Sequence, residues 1–267
     1  PEGEIPTAIG IAAPGPLNPR TGVILNTPNI PDWENYPIAD KVNARFHIPV
    51  YLGNDANLAG LGEWRYGAGQ GHENLLYLTI STGIGGGVIS DGHLLEGWQG
   101  LAGELGHVTV VADGPVCGCG HKGHLEAFSS GTGIARYVEE QLEDDTVESS
   151  LRSRAKRTAE LIAEAARKGD PLAVSAYERA GKYLGIGVAS FLHIFNPSIL
   201  IFGGGVSQSG ELLWTPFRKS LQEHIFNPAY LENLVITPAA LGDDAGLLGA
   251  LALVGMKEKT KENSVDV

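Results

Sequence analysis

The order of apolar patterns in this 267-residue chain predicts an α/β fold built as two lobes with a cleft between them. Short apolar runs suited to strands alternate with stretches of helical period, and they do so in two groups. The second group begins within 83–130, which divides the chain into a first lobe over 1–80 and a larger second lobe over 81–267. Composition agrees: 37 glycines and a charged fraction of only 19% suit many tight turns around a packed core.

In chain order, residues 7–13 form an apolar run stopped by Pro14-Gly15-Pro16, and 23–25 form a second after a turn at Gly22. Residues 37–46 are weakly amphipathic, and 50–52 read as another short strand. Asn54 or Asp55 can cap a helix reaching about Tyr66, because a short polar side chain accepts from the unpaired N–H groups of a first turn. Strands follow at 75–80 and 86–90 around a glycine-rich turn, and Asp91-Gly92 marks a hairpin. Beyond a Cys/His segment the period turns helical at 133–141, 155–168 and 171–194, the last opened by Pro171, whose fixed φ suits a first turn. A strand at 198–202 runs into Gly203-Gly204-Gly205, followed by a helix near 210–225, a strand at 234–237 and a small-residue helix near 245–254. The run Ala245-Gly246-Leu247-Leu248-Gly249-Ala250 suits close helix packing, and 257–267 read as a frayed polar tail.

The formal net charge is −12, which repels a nucleic-acid backbone unless basic residues gather on one face. The densest basic run, 152–157, lies between acidic stretches and reads as an exposed helix start, so no nucleic-acid partner is expected. No apolar run approaches the ~20 residues that span a bilayer, and no charged-then-apolar leader opens the chain, so no membrane is expected. The only cysteines, Cys117 and Cys119, are one residue apart, and a bridge between them would close a strained ring. Metal binding in a reducing compartment is the better reading and implies a cytoplasmic location.

His107, Cys117, Cys119 and His124 supply two thiolates and two imidazoles, the ligand types and number of a closed zinc site. Gly118, Gly120 and Gly123 let the backbone turn tightly around an ion. A closed ligand set leaves no position for water, so such a Zn²⁺ is structural. The competing reading is a glycine-rich loop with unrelated polar residues, against which stands the concentration of all the cysteine here. Gly53-Asn54-Asp55-Ala56-Asn57 follows a strand and opens a helix; a carboxylate fixed there can take a proton from an attacking hydroxyl, or can simply cap the helix. Ser81-Thr82-Gly83-Ile84-Gly85-Gly86-Gly87 can wrap phosphate oxygens with successive N–H groups, though it lacks the lysine of a Walker A loop. Ile201-Phe202-Gly203-Gly204-Gly205-Val206 can bring backbone close to an adenine ring or only close a turn.

Gly103-Glu104-Leu105-Gly106-His107, followed by Cys117-Gly118-Cys119-Gly120-His121-Lys122-Gly123-His124-Leu125-Glu126, resembles the signature of the ROK family (repressors, open reading frames and sugar kinases). The resemblance runs from Thr7 to about Val254, with one departure: the family pattern has a third cysteine where this chain has His124, itself a competent zinc ligand. It implies a two-lobed actin/hexokinase-like (ribonuclease H-like) fold with a zinc loop, and a kinase that uses ATP and Mg²⁺ to phosphorylate a hexose. By resemblance Asp55 is the catalytic base, Asn54 holds the sugar, and Glu104, His107 and Glu126 contact its hydroxyls, His107 serving zinc and sugar together. Gly15 and Asn29, the latter within Thr27-Pro28-Asn29-Ile30-Pro31, are further candidates for that pocket. Thr82 and Gly83 would lie nearest the terminal phosphates, with Gly203, Gly204, Gly131 and Thr132 near the rest of the nucleotide. The segments 63–69 and 102–108 resemble the family's glucose kinases more than its fructose kinases, making glucose the first choice and N-acetylmannosamine, N-acetylglucosamine, mannose or fructose the alternatives. Family members are often dimers, so a homodimer is expected.

Kinases of the family open with an Asp-x-Gly-Gly-Thr hairpin that forms the first phosphate loop, and this chain has no such motif. The expectation is that a native segment precedes Pro1 and that the chain from Pro1 alone is a poor kinase. A helix-turn-helix domain ahead of Pro1 would instead make a sugar-responsive repressor, the alternative from another class. Asp55 argues against it, because a sensor needs no base.

Overall fold

The computed structural model describes residues 5–26 and 32–265, so the candidate Asn29 lies outside the described residues. The chain begins with β1 (Ile9–Ala13), β2 (Leu17–Asn18), β3 (Val23–Ile24), α1 (Ile38–Phe46), β4 (Val50–Asn54) and α2 (Asp55–Tyr66). It continues with β5 (Leu75–Ile80), β6 (Ile84–Ser90) and β7 (His93–Leu94), and after a 3₁₀ turn at Leu105–His107 with α3 (Glu126–Ser129) and α4 (Gly131–Gln141). Then come α5 (Ala159–Arg167), α6 (Pro171–Phe195), β8 (Ile199–Gly203), α7 (Glu211–His224), β9 (Val235–Pro238) and α8 (Ala245–Val265). Among the described residues no helix is long and apolar enough to cross a membrane.

The contacts divide the chain discontinuously. One unit comprises Pro1–Tyr77, Gly86–Gly103 and Ala239–Val267, and the other Leu78–Gly85 and Glu104–Pro238. The division expected at 80/81 is therefore corrected: the β6–β7 hairpin and α8 fold back into the first unit. The reason is tertiary packing of α8 on β1 and α2, which no local pattern announces.

In the first unit β1 and β4 run parallel, with Ala13 opposite Asn54 at their C-terminal ends. Ala13, Leu17, Ile24 and Leu52 form its core, covered by Ile11, Trp33, Tyr36 and Ile38. The Asn54 side chain accepts from the N–H groups of Ala56 (3.0 Å) and Asn57 (3.1 Å), so α2 starts where a capping asparagine places it. Helices α2 and α8 approach so closely that a Cβ on Gly249 would lie 1.7 Å from the Leu58 carbonyl oxygen. Gly249→Ala is therefore expected to force these helices apart and cost about 3 kcal/mol, readable as a lowered midpoint in thermal or denaturant unfolding. The tail expected from 257 is instead helical to Val265. Lys257 pairs with Glu96 at 3.6 Å and the Tyr51 hydroxyl donates to Glu258, contacts distant in sequence that hold the extra turns.

In the second unit β8, buried at every residue, runs parallel to β9 with Ile199 opposite Val235, as a continuous apolar run predicts for a central strand. Asp170 caps α6, accepting from Ala173 N–H (3.1 Å) and from Ser149 and Ser150, with Pro171 in the first turn. Burial raises the Asp170 carboxyl, but the hydrogen bonds from Ser150, Ala173 and Ser149 outweigh it and hold the group below the usual carboxylate range. The basic run at 152–157 is not a helix start. Arg152 donates to the Leu142 carbonyl (3.0 Å) and Arg157 to that of Leu151 (3.0 Å), so both clamp a loop that ends where Thr158 caps α5.

Candidate active site

The second unit holds the Cys/His cluster. His107 ends the 3₁₀ turn, Cys117 and Cys119 lie on the loop that follows, and the loop returns through backbone bridges between Val116 and Lys122 and between Thr109 and His124. At Gly123 the backbone has φ +76°, and a Cβ would lie 1.6 Å from the Val111 carbonyl oxygen, so only glycine closes this turn. One ligand atom from each of His107, Cys117, Cys119 and His124 lies within 4.8 Å of the others. The closest approaches are Cys119 Sγ to His124 Nδ1 (3.2 Å) and Cys117 Sγ to His107 Nδ1 (3.7 Å). Tetrahedral bonds of about 2.0–2.3 Å put ligand atoms about 3.3–3.8 Å apart, so the four residues fit a metal ion after a small contraction.

Protonation follows the same logic. Burial first, and then the Glu126 carboxylate, push the Cys117 thiol up to about 12. A divalent cation supplies the positive charge that reverses this and yields a thiolate. Burial, and then the His107 and His121 imidazoles, hold His124 below the usual histidine value, favouring the neutral form that ligates metals. With Nδ1 of His107 facing Cys117, its Nε2 lies 3.9 Å from Glu104, a carboxylate placed to orient the ring.

Glu126 opens α3, and its carboxylate joins two loops. One oxygen accepts from the Cys117 thiol (3.2 Å) and the other from the Ile84 N–H (2.9 Å) at the end of the glycine turn. Gly83 sits directly against this carboxylate. β6 starts at Ile84 rather than at Gly86. Each carboxylate oxygen retains a second lone pair for a hydroxyl donor.

A cavity of about 990 Å³ also lies wholly within the second unit. Thr82, Gly131, Thr132 and Gly205 line it, so the glycine turn, the start of α4 and the glycines after β8 meet at one place. Thr132 is tied to the turn by donating its hydroxyl to the Thr82 carbonyl (2.8 Å). Gly205, rather than the expected Gly203 or Gly204, faces the space; Gly204 is packed against Ile80. Arg136, Arg157, Arg167 and Gln208 also face the cavity and carried no local sequence signal.

In the first unit the C-terminal ends of the parallel strands bring Asn54 and Asp55 beside the turn that carries Gly15. That is the edge at which parallel α/β sheets place their ligands. Because the Asn54 oxygen caps α2, its amide NH₂ is the group that can donate to a ligand. Asp55 is solvent-accessible, yet the protein around its carboxyl raises its pKa above the usual value, against the lowering effect of backbone N–H groups, including Ala56 at 2.8 Å. Two residues on, Asn57 is buried and donates to the Ala102 carbonyl (3.1 Å), latching the turn that precedes Glu104; composition gave no hint of this role.

An α/β protein of actin/hexokinase-like fold, with a Cys₂His₂ loop adjoining a glycine-walled pocket, is what these features define, and the chain belongs to the ROK family, whose profile matches residues 3–257. It is 40% identical to a glucokinase of Thermotoga maritima over 256 residues, covering 95% of this chain and 80% of that protein. A crystal structure of a ROK family glucokinase from Streptomyces griseus in complex with glucose and AMPPNP superposes with a TM-score of 0.79 at 40% identity, over 94% of this chain and 82% of that one. A xylose repressor of Caldicellulosiruptor bescii is 36% identical over 92% of this chain, which spans only 62% of that protein.

Proposed function

We propose that the protein is a hexose kinase that transfers the terminal phosphoryl group of ATP to glucose, giving glucose 6-phosphate and ADP. The observation that carries the reading is Asp55, an accessible carboxylate of raised pKa fixed at a strand–helix junction, as a general base requires. The sugar 6-oxygen forms its bond to phosphorus as the bond to the bridging oxygen of ADP breaks, and Asp55 takes the hydroxyl proton. Asn54, Glu104, His107 and Glu126 are assigned to the sugar hydroxyls, as are Gly15 and, by resemblance alone, Asn29. Thr82, Gly83, Gly131 and Thr132 hold the phosphates, a reading favoured by the cavity that Thr82, Gly131 and Thr132 line, while Gly203 and Gly204 are assigned to the adenosine by resemblance alone. Mg²⁺ bound with ATP supplies charge neutralisation at the phosphates. His107, Cys117, Cys119 and His124 hold a structural Zn²⁺ that keeps Glu104 and Glu126 in register. A reducing cytoplasmic setting suits two cysteines that serve as metal ligands rather than as a disulfide.

The sign of the pH dependence follows from Asp55. The base works ionised, and its pKa is raised, so kcat/KM is expected to fall as the pH drops through a value above the ordinary carboxylate pKa of about 4. A pH–rate profile measures it; an acid limb at or below that value contradicts the assignment.

The identity to a xylose repressor supports a second reading, a sugar-responsive DNA-binding regulator. ADP release by the complete gene product, with glucose, N-acetylmannosamine and fructose in parallel, separates the two. Mg²⁺-dependent turnover, fastest on glucose, is expected. Sugar binding without turnover on any of them would favour the regulator.

A further inference from the structure

We infer that Arg136 couples the metal centre to the nucleotide pocket, so that each ligand strengthens binding of the other; the inference rests on the reading of those two sites given above. Arg136 lies on α4, five residues beyond Gly131, and its side chain lines the same cavity as Thr82, Gly131 and Thr132. Its guanidinium reaches out of that cavity into the metal loop. One terminal nitrogen donates to the carbonyl of Val116 and the other to that of Ala127 (3.2 Å), while Nε pairs with Glu140 at 3.5 Å.

The two carbonyls are significant by position. Val116 immediately precedes the buried ligand Cys117 and is the residue whose backbone pairs with Lys122 to close the loop. Ala127 immediately follows Glu126, whose carboxylate touches both the Cys117 thiol and the N–H that ends the glycine turn. One side chain that lines the cavity thus grips the metal loop beside Cys117 and the start of α3 beside Glu126. When the metal fixes the loop, both carbonyls hold Arg136, and with it this part of the cavity wall, in place for a ligand; when the loop loosens, those anchors go with it. The donors of arginine form a rigid planar fork that reaches two separated acceptors at once, whereas a lysine ammonium offers charge without the fork.

Coupling of this kind is reciprocal, which makes it measurable from either side. ADP binding by calorimetry to zinc-loaded and chelator-stripped complete protein is expected to weaken about five- to tenfold on stripping the wild type. Arg136→Lys and Arg136→Met are expected to bind ADP with the same affinity in both forms. Zinc affinity, read on loaded protein by competition with a chromophoric chelator, is expected to rise by the same factor when ADP is added to the wild type and not to either variant. This second arm stays readable if stripping unfolds the loop. A wild-type ratio near one, or an unchanged ratio in Arg136→Lys, overturns the coupling while leaving both sites standing. Failure of the wild type to take up zinc or ADP at all overturns the reading of the sites themselves.

Discussion

Asp55→Asn is expected to lower kcat on glucose by about 10³-fold or more, with sugar affinity by calorimetry changed less than about threefold. The substitution keeps size and shape, and the new side-chain oxygen can still accept from the Ala56 N–H, so the start of α2 is preserved. What disappears is the ability to take a proton from the sugar as the bond to phosphorus forms. A kcat within about tenfold of wild type would remove Asp55 from the chemistry and return it to the role of a helix-start residue.

Chelating the proposed zinc, or removing its buried ligand through Cys117→Ala, is expected to lower the thermal midpoint by about 10 °C. The estimate takes a metal present at a thousandfold over its Kd, which contributes about 4 kcal/mol to the folded state. Cys117 lies within a small apolar cluster with Ala127 and Phe128, against which Tyr183 of α6 packs. Loosening the loop therefore disturbs the start of α3 and Glu126 as well as the ligands. Calorimetric scans of wild type with and without chelator should differ, added zinc should restore the stripped wild type, and Cys117→Ala should not respond. Identical scans for all forms would show that the loop is held by its hydrogen bonds and that the four residues bind no ion of consequence.

What the sequence disclosed, and what it hid, separates by distance along the chain. Asn54 capping α2, Asp91-Gly92 turning the β6–β7 hairpin and Pro171 opening α6 each act within a few residues, so local chemistry was enough to read them. The Cys/His cluster was legible for the same reason, since His107 to His124 is one short loop. The division into units was not, because the chain passes between them four times and the last segment returns as α8 to pack on α2. The helical tail beyond 257 rests on partners as remote as Tyr51 and Glu96. Arg157, read as an exposed helix start, turned inward to a loop carbonyl and the cavity wall, and Arg136, Arg167 and Gln208 joined it from separate elements. Side chains that converge only through tertiary structure leave no spacing to recognise.

The proposed function makes Asp55 the base of a phosphoryl transfer from ATP to a sugar. A single-turnover reaction of the complete protein with γ-labelled ATP, Mg²⁺ and glucose, quenched and resolved by product, tests it most directly. Label appearing on the 6-oxygen of glucose in stoichiometric yield, and absent from the Asp55→Asn reaction over the same interval, is the predicted result. Label remaining in ATP, or released only as inorganic phosphate while glucose is bound, would contradict it.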